Sequence, residues 1–227
     1  MFKSKVRPIV IPQFEHARLA AKLASMWGNA DFDRPEIDFT PFVDGVALHD
    51  WQYSNADNLS IGDISEAEWL AVMRHGIDLE FANPIIEAIA KLHMMRLMRT
   101  PTSPERKKIV EAFENRISKA VAQSGFSRDH FEWADRITRF CDMVAFDFSF
   151  ERPTKGSTPI SAKINQPNET QLTYEIKPNG EIKIDPWPFS APSFSGMITG
   201  YQLDGYPETL TPLIIHYQVT PTIRSHP

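Results

Sequence analysis

The feature that most constrains this chain is a change of period near Arg152. Before it, apolar residues recur every three or four positions; after it, they alternate. The first pattern paints a stripe along a helix and the second paints one face of a strand. The helical part is also well punctuated. "PQFEHARLAAKLASMWG" carries Leu19, Ala20, Leu23 and Trp27 on one face, with Gly28 as a stop. A shorter helix is read between Pro41 and Gln52. "SEAEWLAVMRHG" opens with Ser65 and Glu68 at capping-box spacing, and Gly76 reads as its end. Asn83 and Ser103 are N-caps, each followed by a proline at the first helical position. Gly125 closes the helix after Pro104, and Ser127 opens the last one. Six helices with short connections predict a bundle.

Beyond Arg152, "RPTKGSTPISAKINQPNET" reads as a linker or irregular crossing. "QLTYEIKPNGEIKID" turns at Pro-Asn-Gly as a hairpin does, and "PLIIHYQVTP" is a further strand. "PWPF" reads as a packing plug. The expected fold is therefore mainly α: a helical bundle over residues 1–152, with a small antiparallel β subdomain over 153–227. Tyr174, Trp187, Phe189 and Phe194 are too many aromatic side chains for a solvated tail, so that subdomain should pack on the helices.

Composition narrows the partners. The net charge is −5 with no long basic run, which argues against general nucleic-acid binding. No stretch reaches the ~20 apolar residues of a membrane span, and "MFKSKVRPIVIPQ" holds no apolar run of signal-peptide length. Cys141 is the one cysteine, so no intrachain disulfide forms, which fits a reducing compartment. A cytoplasmic protein with no membrane partner and no general nucleic-acid partner is the expectation; the oligomeric state is not legible.

Seven histidines are present. Periodicity points His16, His49, His75 and His93 toward the interior, and Asp142 lies at the edge of an inward stripe, ahead of Asp135 and Asp147. One buried imidazole is ordinarily a core residue with a hydrogen-bond partner. Several aimed at one core satisfy each other poorly, and a cation accepting all their lone pairs resolves this. The nitrogen and oxygen donor set, lacking thiolate, suits iron, manganese, zinc or nickel. Gln13 and Glu15 read as solvated helix-start residues. His130 reads as exposed, His216 as structural, His226 as tail and Cys141 as core.

The order His16, His49–Asp50, Asp142 along successive helices resembles the HD superfamily of metal-dependent phosphohydrolases, over roughly residues 12 to 148. His75 and His93 resemble the extended signature of members that hold two metals, including dinuclear phosphodiesterases and di-iron oxygenases. The resemblance implies one ion on His16, His49, Asp50 and Asp142. His75 and His93 then serve a second, with Asp50 as bridge and catalytic carboxylate. Arg96, one turn after His93, is the candidate cation for the phosphate. "HDWQYS" departs from the usual pattern, because Trp51 and Gln52 stand where many such hydrolases carry a small residue and a lysine. The segments "IPQFEHARLAAKLASMWG", "LHDW", "LHMMRL", "RFCDMVAFDF" and "IDPWPF" also resemble a bacterial family of unknown function. The expected activity is hydrolysis of a phosphate ester or nucleotide. The alternatives are a di-iron oxygenase and a non-catalytic binding protein that keeps the fold.

Overall fold

The computed structural model describes residues 1–98, 100, 103–164, 166 and 168–222. Its helices are α1 (Gln13–Ser25), α2 (Phe39–Ala47), α3 (Glu66–Asp78), α4 (Pro84–Leu97), α5 (Pro104–Ser124) and α6 (Arg128–Ser149). The local signals act as their chemistry dictates. Ser65 and Glu68 form the reciprocal capping box. Asn83 accepts from the Ile85 amide and Ser103 from the Arg106 amide. Gly125 ends α5 in the left-handed region at φ 80°.

Gly76 does not stop its helix; α3 runs on to Asp78. A Cβ there would stand 3.0 Å from Met94 Sδ and 3.2 Å from Gln52 Cβ, so this glycine serves a close approach of α3 to its neighbours. The end of α3 is instead capped from α4. Lys91, fully buried, donates from Nζ to the carbonyls of Gly76 (2.7 Å), Ile77 (3.2 Å) and Leu79 (2.9 Å), with Glu87 at 3.5 Å. A cation there answers both the unpaired carbonyls and the negative end of the helix dipole.

The mainly α expectation fails. The chain is 44% helical but also 22% strand, in one seven-stranded mixed sheet curled into a half-barrel rather than a small appendage to a bundle. The strands are β1 (Phe2–Lys3), β2 (Ile9–Ile11), β3 (Thr154–Ser161), β4 (Glu169–Ile176), β5 (Glu181–Asp185), β6 (Phe194–Gln202) and β7 (Pro212–Pro221). Their order is β1-β2-β6-β7-β5-β4-β3, antiparallel except for the parallel pair β5 and β7. Two strands thus come from the N-terminus, where "IVI" lies between prolines and is too short to show a period. β3 occupies the stretch read as linker. Its Gly156 leaves room for the Tyr174 ring across the ladder, and its Pro159 is tolerated because β3 is an edge.

The inward face of the sheet carries Ile160, Leu172, Tyr174, Ile182, Ile184, Ile198, Ile215 and Val219, all buried in one apolar cluster with the helices. α6 lies over β3 and β4, and α1 over β6. The "PWPF" segment plugs a corner: Phe189 stacks edge-on to Trp27 at 6.0 Å and to Trp187 at 4.9 Å. Among the described residues no helix is long and apolar enough to cross a membrane.

Candidate metal centre

The first turn of α1 follows β2 with only Pro12 between, so the sheet fixes where His16 stands. Glu15 reinforces this. Its Oε2 accepts from the Thr199 amide of β6 at 3.0 Å and from Arg18 at 2.6 Å. Gln13 and Glu15 are therefore buried, not solvated as their place at a helix start suggested.

His49 and Asp50 leave α2 through a tight turn into the 3-10 turn Trp51–Tyr53. Asp50 has φ −108° and ψ 17°, close to the sparsely populated bridge region. Consecutive residues of a continuous helix point ~100° apart; the turn lets both side chains face one site. Gly45 sets the approach of α2 to α4, because a Cβ there would stand 2.8 Å from Ile89 Cβ. One turn further along both helices, the His49 and His93 rings meet at 4.3 Å between centroids. α6 contributes Asp142, and Asp135 two turns earlier.

Four donor atoms converge. His16 Nε2 lies 3.2 Å from His49 Nε2, 3.2 Å from Asp142 Oδ1 and 3.5 Å from Asp50 Oδ2. His49 Nε2 lies 3.5 Å from the same two carboxylate oxygens. Ligands at 2.0–2.2 Å from one ion in tetrahedral to octahedral arrangement stand about 2.8–3.6 Å apart, and all five separations fall inside that range. The chemistry agrees. His49 Nδ1 donates to Val46 O at 2.6 Å, which turns the Nε2 lone pair of the neutral ring toward the other three donors. His16 and His49 are fully buried. His16, His49 and Asp142 form one group of converging ligand atoms that could hold a divalent cation, and His49, Asp50 and His93 form an overlapping second.

The electrostatics point the same way. Burial alone would lower His49, but the charges of Asp50 and Asp142 outweigh it and lift the imidazole to about 9. Burial pushes both carboxyls up, and the surrounding histidines more than reverse this, holding Asp50 and Asp142 well below the usual carboxylate range. Positive charge is strongly favoured at this point.

The other expected residues divide. His93 joins the cluster, with Nε2 3.1 Å from Asp50 Oδ1. Arg96 reaches it too, but its guanidinium is engaged by Asp135, by His93 Nδ1 at 2.7 Å and by Asp142 Oδ2 at 3.5 Å. His75 stands apart. It is half-buried on the flank of α3, whose buried residues Leu70, Val72, Met73 and Gly76 form the inward face, and it belongs to neither group of converging ligand atoms. Asp147 accepts from Tyr174 Oη at 2.6 Å. His130 lies between Ser127 and Glu36, His216 is exposed on β7, and His226 lies outside the described residues. Cys141 is buried, its thiol pushed up by burial and by Asp142.

Three residues went unnoticed in the sequence or were misjudged there. Gln52 is buried and donates to Asp50 Oδ1 at 3.2 Å. Tyr53 accepts from Trp69 Nε1 at 3.2 Å, and burial, then Asp50 and Asp142, raise its phenol so that it stays protonated. Arg139 is exposed on α6, four residues after Asp135 and three before Asp142, and has no partner among the described residues. Only helix spacing from Asp142 could have singled it out.

A family profile described as Protein of unknown function (DUF3891) matches residues 2–205. The chain belongs to that family. No curated protein and no solved structure matches it. The DUF3891 span takes in His16, His49, Asp50, His93, Arg96, Asp135, Arg139 and Asp142, so the whole centre lies inside the matched region.

Proposed function

We propose that this DUF3891 protein is a metal-dependent hydrolase acting on a phosphate ester, nucleotides included. The observation that carries the reading is the meeting of His16, His49, Asp50 and Asp142 donor atoms at ligand-to-ligand spacing. The order of these residues, a histidine on α1, a His-Asp pair just after α2 and an aspartate on the late helix α6, supports an HD-like centre. A divalent cation held there supplies Lewis acidity, lowering the pKa of a water and drawing charge from the scissile group.

The protein's own groups divide the remaining work. Arg96 is occupied by carboxylates, so it orients the centre and leaves the substrate anion to another cation. Arg139 takes that role. Every other described arginine has an ionic, hydrogen-bonded or aromatic partner, whereas Arg139 stands free one turn from Asp142. Tyr53 keeps its proton and has no acceptor for it among the described residues, so it can hold that proton for a leaving oxygen. Trp51, 47% exposed beside Asp50, offers an aromatic face to a base or ring of the substrate.

The test is metal analysis of protein purified without chelator or a polyhistidine tag, followed by hydrolysis of bis(p-nitrophenyl) phosphate with Mn²⁺. Asp50→Ala should lose metal and turnover together. Arg139→Gln should keep its metal while KM rises about tenfold or more, the loss of one charge-assisted contact. Full metal content in Asp50→Ala would overturn the reading. Bound metal with no turnover of any phosphate ester would leave a binding protein. The oxygenase alternative needs His75 in a second ligand set, and His75 stands outside the cluster.

A further inference from the structure

We infer that the centre takes one cation, and that His93 serves it as a fixed hydrogen-bond donor rather than as a ligand. This rests on the metal-centre reading above and refines it. The ring nitrogen of His93 that carries the proton decides between the two roles.

Arg96 Nη2 stands 2.7 Å from His93 Nδ1. A guanidinium has donors only. Nδ1 must therefore be the acceptor, its lone pair committed to Arg96; Asp142 Oδ2, 3.4 Å from the same nitrogen, shares Arg96 Nη2 with it instead of receiving a proton from it. The proton of the neutral ring then sits on Nε2, which faces Asp50 Oδ1 at 3.1 Å and donates to it. Neither nitrogen has a lone pair left for a metal.

Asp50 is likewise committed on one side. Its Oδ1 receives His93 Nε2–H and also Gln52 Nε2–H, at 3.2 Å. Two donors fill the two lone pairs of that oxygen. Only Oδ2 remains, and it is the oxygen that faces His16 and His49 at 3.5 Å. A carboxylate so placed serves one ion and cannot bridge to a second.

The arrangement is held from behind. Asp135 grips Arg96 Nη1, while Arg96 Nη2 serves both His93 Nδ1 and Asp142 Oδ2, at 2.7 and 3.5 Å. A chain of contacts thus runs from Asp135 through Arg96 and His93 to Asp50. Arg96 is a positioning residue: by occupying Nδ1 it selects the tautomer that orients Asp50. A partner of this kind normally changes metal affinity by about 10–100-fold without changing the metal count.

The experiment has two arms, on the full chain. The first titrates Mn²⁺ into wild type and His93→Gln. One equivalent is expected in both, with binding about 10–100-fold weaker in the variant, since the glutamine amide can donate to Asp50 only imperfectly. Two equivalents in wild type, or loss of the single equivalent in His93→Gln, would overturn the inference. The second arm records ¹⁵N spectra of the imidazole rings, metal-free and with Zn²⁺. His93 should show a protonated Nε2 and a bare Nδ1 in both states, and Arg96→Met should disturb that tautomer. A His93 nitrogen that loses its proton to Zn²⁺ would refute the assignment. If wild type binds no cation, the parent reading and the count fall together, and the metal-free spectra still decide the tautomer.

Discussion

Gly45→Ala should damage the centre although it touches none of its side chains. In an ordinary helix interior this change stabilises by about 1 kcal/mol, because alanine loses less backbone freedom on folding. Here the new Cβ would lie 2.8 Å from Ile89 Cβ and 2.9 Å from Ile89 Cγ2. Carbon atoms rest about 3.5–4.0 Å apart, so α2 and α4 must separate by about 0.7–1.2 Å. Overpacking of this kind costs about 1–3 kcal/mol, which cancels or exceeds the gain in propensity. The site suffers more than the fold. His49 and His93 stand one turn beyond Gly45 and Ile89, with their rings 4.3 Å apart. A shift near 1 Å moves His49 Nε2 relative to His16 and Asp142 by a large part of their 3.2–3.5 Å separations. Mn²⁺ affinity should fall tenfold or more, while the metal-free melting temperature falls by a few degrees or stays level. Calorimetric titration paired with thermal melts in chelator checks both. A variant that melts higher and binds Mn²⁺ as wild type does would refute the packing argument.

Three other outcomes are expected. In metal-free protein the folded His49 holds its proton up to about 9, against 6.5 in the unfolded chain. Its stabilisation is therefore full below pH 6.5 and is lost as pH rises through 9. A rise from 6.5 to about 9 corresponds to about 3–4 kcal/mol at most. Urea midpoints in chelator should fall between pH 6 and 9.5 in wild type, and a flat profile would contradict this. Asp50 and Asp142 act at the acid end, where their lowered pKa values stabilise the fold above pH 3.8 and cease to do so as pH falls further. Lys91→Met should strip the donor from the Gly76 and Ile77 carbonyls at the end of α3, while Leu79 O keeps Arg116 Nη2 at 3.2 Å; at about 1–3 kcal/mol per orphaned buried group the melting temperature should fall by several degrees; an unchanged melt would show that water replaces the ammonium.

The helices were legible because their signals are local. Ser65 with Glu68, Asn83 with Pro84, and Ser103 with Pro104 act within a few residues, and the structure places each as a cap. The sheet was only half legible. The Pro-Asn-Gly turn is local, and β4 and β5 form around it. β2 exists because of a partner far along the chain, Ile9 pairing with Gln202; β1 forms on β2, and Gly156 of β3 makes sense only beside Tyr174 of β4. Gly76 misled for the same reason, its role being set by Met94 and Gln52. In the centre, periodicity placed His16 and His93 inward, and the structure brings them together with His49, Asp50 and Asp142. It failed for His75 because α3 packs on α5 and presents its inward face there. Arg96 was noticed for its charge, but Asp135 and His93 decide what that charge does.

The pairing of β2 with β6 also governs how the chain is made. Ile9 and Val10 leave the ribosome early, yet their ladder partners Gln202 and Tyr201 follow some 190 residues later. At about 5–20 residues per second that delay is about 10–40 s. Throughout it the apolar segment Ile9–Ile11, fully sequestered in the finished protein, has only the two-residue β1 beside it. α1 begins two residues further on and packs on α2 and α6, but its Glu15 gains the Thr199 amide only when β6 arrives. Nascent chains halted before residue 194 therefore leave Ile9–Ile11 without β6, and should be held in solution by chaperones rather than by their own folding.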